Sequence, residues 1–237
     1  MHAQPDVRKR DEIMTNETVS IPVRGHGEVS GVLSVPDPFT SGKGIVIAHG
    51  ANNDMNQPMI VFLAHRFAEA GFLTLRFNFL YSEKGSKTVD SREVLCAAFE
   101  GACDSLGARR EGRPRKIYAA GKSLGARIAA MLAAEGRLQA EKLVFLGFPL
   151  HAPGKKDRLR DTTLYDIRVP MLFFAGSSDP FCDLGILKDI LPRLCVEWDL
   201  EIIPGGDHSF KVPVKAGVSQ LAIYDQIAGR TIEWLNK

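Results

Sequence analysis

A chain of 237 residues, 45% hydrophobic and 24% charged, can bury a core of ordinary size and suits one large domain or two small ones. A formal net charge of +2 is too small to favour nucleic acid or an anionic membrane as a partner, and no apolar run approaches the roughly 20 residues needed to span a bilayer. Cys96, Cys103, Cys182 and Cys195 form no CxxC pair and have no histidine at zinc-ligand spacing, so reduced thiols, a cytoplasmic location and no metal are expected.

Residues 1–16 are polar and lack the apolar stretch of a secretory signal; they are expected to form a poorly ordered lead-in to a single domain over 17–237. Two β-rich runs, 18–23 and 28–35, flank the turn-like Arg24–Gly25–His26–Gly27 and predict a hairpin. A loop rich in Pro, Ser and Gly follows, and then the pattern changes. The apolar run 44–48 reads as a strand covered on both faces. Helical spacing of Ile60, Phe62, Leu63 and Phe67 predicts a helix over 58–70, stopped by Gly71. Strands are expected at 72–79, 116–120, 142–148, 171–175 and 196–203, and helices at 90–109, 124–135, 183–191 and 218–235. A hairpin followed by repeated βα units implies an α/β fold whose sheet is mostly parallel, with helices on both faces.

The sharpest local signal is Gly121–Lys122–Ser123–Leu124–Gly125, set between an expected strand and an expected helix. That is the context of a G-x-S-x-G nucleophile elbow, where small neighbours leave room for a strained serine. A phosphate loop is excluded because the glycine it needs five places before Gly121 is Lys116. A serine needs a base. Of the six histidines, His2 and His26 precede the parallel sheet and His65 sits inside a helix. His49 and His151 adjoin strand ends, whereas His208 lies in the exposed loop Gly205–Gly206–Asp207–His208–Ser209. The acid should follow a strand between serine and histidine, and Asp179 does so; Asp183 suits a helix start and Asp207 a turn. Oxyanion donors are expected from the amides of Leu124 and of Ala51, the latter after His49–Gly50, with His49 bracing that loop. Asn52, Asn78 and Lys122 are candidate substrate contacts, with Asn53 and Tyr81 on the same face. Lys122, Arg127 and the basic stretch Lys155, Lys156, Arg158 and Arg160 suit either an anionic substrate or a solvated charge run.

With these motifs the sequence resembles the α/β-hydrolase superfamily over about residues 17–237, and within it the dienelactone-hydrolase-like branch that includes the KANL3/Tex30-type domains. The matching segments are Arg76–Phe77–Asn78–Phe79, Gly121–Lys122–Ser123–Leu124–Gly125–Ala126–Arg127, Phe148–Pro149–Leu150–His151 and Gly206–Asp207–His208–Ser209. The resemblance implies an eight-stranded sheet and a Ser123–His208–Asp179 triad. Dienelactone hydrolases proper use a cysteine nucleophile where this chain has Ser123. Only about twenty residues lie between Pro149 and Pro170, too few for a large cap domain. The expectation is a serine hydrolase of carboxylesterase type acting on a small-molecule acyl substrate without a cofactor, with no nucleic-acid or membrane partner. The rivals are a catalytically silent scaffold of the same fold, and a thioesterase or peptidase using the same triad. Oligomeric state is not encoded in any motif.

Overall fold

The computed structural model describes residues 14–237. Of the expected lead-in, residues 1–13 lie outside the described residues, while Met14, Thr15 and Asn16 open the first strand. Strand β1 (Met14–Val23) turns back through 24–26 into β2 (Gly27–Pro36), in antiparallel register from Val23 opposite Gly27. Then come β3 (Lys43–Ala48), α1 (Pro58–Glu69), β4 (Leu73–Phe77), the short α2 (Leu80–Glu83) and α3 (Arg92–Gly107). The second half runs β5 (Lys116–Lys122), α4 (Leu124–Ala134), β6 (Leu143–Leu146), β7 (Met171–Gly176), α5 (Leu184–Ile190), β8 (Trp198–Ile203) and α6 (Gln220–Asn236). The eight strands form one sheet in the order β1-β2-β4-β3-β5-β6-β7-β8; only the β1–β2 and β2–β4 pairs are antiparallel.

The uninterrupted apolar strands are explained by cover on both faces. In β3, Ile45 and Ile47 join the core formed with α1 and α6, through Leu63, Phe67, Ile227 and Trp234. Val46 and Ala48 point the other way, into the core under α3 and α4 with Phe99 and Ile128. Alternation of side chains along a strand makes both cores from one sequence run. The helices start where their caps allow. Gln57 accepts from the Ile60 amide with Pro58 at the first turn, Ser91 accepts from Val94, and Asp183 accepts from Gly185 and Ile186.

Three boundaries differ from expectation for visible reasons. The strand expected over 72–79 ends at Phe77, because the Phe79 amide donates to His49 Nε2 and the chain turns into α2. β6 stops at Leu146, where Gly147 takes φ 69°. Between Pro149 and Pro170 only a 3-10 turn, Thr162–Asp166, is formed, so no cap domain covers the carboxyl ends of the strands. Among the described residues no helix is long and apolar enough to cross a membrane.

Candidate active site

The reversal between β5 and α4 falls on one residue. The strand ends at Lys122 and the helix starts at Leu124, leaving Ser123 at φ 51° and ψ −103°. A positive φ on a residue with a Cβ costs on the order of 1–3 kcal/mol, so surrounding structure must enforce it. The flanking glycines do so. A Cβ on Gly121 would stand 2.3 Å from the Gly125 carbonyl carbon, and one on Gly125 would stand 2.8 Å from Ala48 Cβ. Helix and strand therefore cross at backbone contact, and the serine side chain is left at the top of the turn. Its hydroxyl does not cap α4, although Ser123 occupies the capping position.

That hydroxyl lies 2.8 Å from His208 Nε2, and His208 Nδ1 lies 2.8 Å from Asp179 Oδ2. With the ring proton on Nδ1, His208 donates to the carboxylate and accepts from the serine hydroxyl, one tautomer satisfying both contacts. The Asp179 side chain is fully buried, and its other oxygen accepts from the Phe181 amide at 2.8 Å. The Phe181 ring packs on the imidazole with centroids 4.4 Å apart.

The acid and the histidine come from loops after adjacent strands, and backbone bonds lock those loops together. Ser177 N–H donates to Ile203 O at 3.0 Å, Ser178 N–H to Gly206 O at 2.9 Å, and Gly205 N–H to Ser177 Oγ at 2.7 Å. Gly176 permits this approach, since a Cβ there would meet Gly206 O at 2.2 Å. Asp207 holds the turn that presents His208, its Oδ1 accepting from the amides of Ser209 and Lys211. These locks had no sequence signal beyond the small residues in 176–178 and 205–206.

The loop after β3 lies against the elbow. A Cβ on Gly50 would stand 3.5 Å from Ser123 Cβ, and a Cβ on Gly125 would stand 2.9 Å from His49 O. Among the described residues, neither the Ala51 amide nor the Leu124 amide has an acceptor. His49 is fully buried; its Nδ1 donates to Gly50 O at 2.8 Å while Nε2 accepts from Phe79 N–H at 3.1 Å. Burial holds this imidazole below its ordinary value, so it stays neutral and serves as the brace expected of it. Tyr81 donates to the same Gly50 carbonyl at 3.2 Å, and burial beside Asp90 pushes its phenol up to about 12.

The candidate substrate contacts separate. Asn52, at φ 58°, is exposed and lines a cavity of about 460 Å³ with Asn53, Tyr81 and Ser86. Asn78 does not line it: its Oδ1 accepts from Met55 N–H and its Nδ2 donates to Glu83, so both ends brace the scaffold. Lys122 is buried rather than open to that face. Its stem packs at Gly50, and its ammonium stands 5.6 Å from the Phe210 ring centroid. Desolvation pulls its pKa down to about 8, opposed by attraction to Asp179 and Asp207. Cys182, beside the acid loop, is a buried thiol pushed up to about 12, which makes it a poor nucleophile. A larger cavity, about 880 Å³, lies near the start of β5 among Arg113, Arg115 and Glu141, at the opposite end of the strands from Ser123.

The alpha/beta hydrolase domain family matches residues 41–236. Among solved structures, the chain is similar to a dienelactone hydrolase from Anabaena variabilis, with TM-score 0.74 and 23% identity over 93% of this chain and 96% of that one. It is also similar to a serine hydrolase without lid from Xanthomonas campestris, with TM-score 0.66 and 20% identity over 82% of this chain and 86% of that one. A Mycobacterium tuberculosis protein carrying the name of a phosphoribosyl transferase is 26% identical over 98% of this chain. The chain spans about half the length of the curated relatives it matches, 47% for this one.

Proposed function

This chain belongs to the alpha/beta hydrolase domain family, and on that premise we propose that it is a serine hydrolase that cleaves small carboxylic esters through Ser123, His208 and Asp179. The observation that carries the reading is the unbroken relay of two 2.8 Å contacts, Asp179 to His208 and His208 to Ser123.

In the proposed reaction His208 Nε2 takes the hydroxyl proton as Ser123 Oγ bonds to the ester carbonyl carbon. Charge collects on the carbonyl oxygen, toward which the unpaired amides of Leu124 and Ala51 and the N-terminus of α4 are available as donors. Asp179 keeps the imidazole in the productive tautomer and stabilises the imidazolium. Collapse breaks the ester C–O bond, and the proton on His208 goes to the departing alkoxide. Water then repeats the sequence: His208 takes its proton, the hydroxide adds to the acyl-serine, and the released Ser123 oxygen regains the proton. Water is the one co-reactant the balance requires, and Ser123 and His208 end as they began.

The open strand ends favour small esters without a roofed acyl tunnel, since residues 149–170 supply one 3-10 turn and no cap. The phosphoribosyl transfer in the name of the mycobacterial relatives is not carried over. This chain matches about half of their length, and the relay here suits activation of a serine.

The test is intact-mass analysis after treatment with a fluorophosphonate, which phosphonylates activated serines. One adduct mapped to Ser123, absent from Ser123→Ala and His208→Ala, is expected. Folded wild-type protein without an adduct would refute the catalytic reading and leave the scaffold role in its place.

A further inference from the structure

Six basic side chains, Lys122 and Arg127 at the elbow and Lys155, Lys156, Arg158 and Arg160 after β6, are candidates to meet an anion, and the structure sorts them by what each meets. Lys155, Lys156 and Arg158 are exposed; Lys156 pairs with Asp183 at 2.6 Å and Arg158 stands 3.8 Å from Asp157. Lys122 is buried beneath the triad, attracted by Asp179 and Asp207. Arg127 and Arg160 remain. Both are half-buried, and among the described residues neither guanidinium makes a hydrogen bond or meets a carboxylate.

Backbone geometry puts Arg127 one helical turn from the nucleophile and Arg160 in the segment that follows the neighbouring strand. Arg127 lies one helical turn past Ser123, its amide donating to Ser123 O at 3.1 Å. It shares the partly exposed stripe of α4 with Leu124 and Met131. Side chains on a helix lean toward its N-terminus, so Arg127 reaches back over the turn that begins at Ser123. Arg160 is pinned from the other side: its amide donates to Leu150 O at 2.8 Å, just past the end of β6, the strand paired with β5. The two cations repel each other, and burial together with Arg160 holds Arg127 below its ordinary value. The other half-buried arginines, Arg66, Arg109 and Arg230, each pair with a carboxylate, and two like charges sharing a desolvated spot destabilise the empty protein.

We infer that Arg127 and Arg160 together bind an anionic group, a carboxylate or a phosphoryl dianion, on the acyl chain of the substrate. The inference rests on the serine-hydrolase reading and specifies its substrate class. The acyl chain is the part concerned because it stays bonded to Ser123 through the covalent step, within the lean of Arg127. Two planar forks match either oxyanion bidentately.

The experiment compares kcat/KM for 4-nitrophenyl butyrate with that for the mono-4-nitrophenyl ester of glutaric acid and the 4-nitrophenyl ester of 3-phosphonopropionic acid. Wild type should prefer an anionic ester by about 10- to 100-fold at low salt, as charge-assisted pairs allow, and the better of the two anions identifies the source. The preference should fall at least tenfold in Arg127→Gln and in Arg160→Gln, shrink in high salt, and persist in part in Arg127→Lys. Separately, glutarate or inorganic phosphate alone should raise the Tm of wild type and not of the Gln variants, a readout that needs no turnover. Hydrolysis of the neutral ester with no anionic preference, or a preference unchanged in folded Gln variants, overturns the inference and leaves the hydrolase reading standing. Failure of fluorophosphonate labelling and of all three esters overturns both.

Discussion

Replacing Lys122 with methionine should stabilise this protein at neutral pH. Lys122 is 8% exposed, and its ammonium makes no hydrogen bond among the described residues and has its pKa lowered from 10.5 to about 8. A displacement of that size corresponds to about 3 kcal/mol of stability forfeited by burying the charged form. The direction with pH follows from proton counting. Between about pH 8 and 10.5 the unfolded chain holds a proton that the folded protein has released, so stability rises with pH across that window. Below it both states are protonated and the full penalty is felt. The Phe210 ring, 5.6 Å from the ammonium, returns part of it. A cation–π contact contributes about 0.5–1 kcal/mol, which leaves a net gain of about 2 kcal/mol for Lys122→Met at pH 7. Methionine preserves the unbranched stem that packs at Gly50 and adds no polar atom to satisfy. Urea unfolding of both proteins at pH 7 and pH 10 measures the effect, and titrations shared by the two cancel in the difference. The gap should be largest at pH 7 and shrink toward pH 10. A methionine variant less stable than wild type at pH 7, or a gap that does not change with pH, would refute the argument that Lys122 is a desolvated, unpaired charge.

Other perturbations separate catalytic from structural roles. Asp179→Asn should leave the fold intact and lower kcat by about three to four orders of magnitude, as loss of the orienting carboxylate does in other triads, with steady-state ester hydrolysis as the assay. Gly125→Ala places a Cβ 2.8 Å from Ala48 Cβ at the crossing of α4 and β3; it should cost about 1–3 kcal/mol in urea unfolding and reduce fluorophosphonate labelling of Ser123. His49→Leu strands the buried Phe79 amide and leaves the Gly50 carbonyl to Tyr81 alone, so about 1–3 kcal/mol of stability and much of kcat should be lost together. Because burial holds His49 below its ordinary 6.5, the unfolded chain takes up a proton first as pH falls through that value. Wild type should therefore lose stability below about pH 6.5 more steeply than His49→Leu, as followed by urea unfolding at stepped pH.

Where a constraint was local, it was legible. The elbow declares itself in five residues because backbone crossing admits only glycine at 121 and 125, and both clashes are backbone or Cβ contacts. Asp179 and His208 were singled out by position, each just past the end of a strand in a sheet whose βα alternation was plain, and folding brings them into contact with each other and with Ser123. What could not be read were bonds between segments far apart in the chain. The truncation of β4 at Phe77 depends on a histidine 30 residues earlier capturing the Phe79 amide. Asn78 looked like a free polar residue at a strand end, yet Met55 and Glu83 engage both sides of its amide. Direction was equally hidden at Lys122, where burial or exposure at the end of β5 depends on what β3 and β6 leave open. Gly50 and Gly147 leave a channel there, and the stem follows it inward.

Charge shows the same division in a form that bears on specificity. A sequence counts cations, and a run such as 155–160 looks alike whether it solvates a surface or grips a ligand. Folding subtracts the pairs. Asp183, 27 residues from Lys156, removes that lysine from contention, and exposure removes Lys155 and Arg158. The remainder is set apart by being unmatched among half-buried arginines: Arg127 and Arg160 meet no carboxylate among the described residues, where the half-buried Arg66, Arg109 and Arg230 each do. A protein that leaves these two half-buried groups uncompensated near the turn at Ser123 tolerates a repulsion that an anionic substrate would relieve on binding. Ligand and fold are then coupled through the same two residues. Substituting them should make the empty protein more stable and its discrimination worse, and a scaffold with no substrate would have no reason to keep that trade.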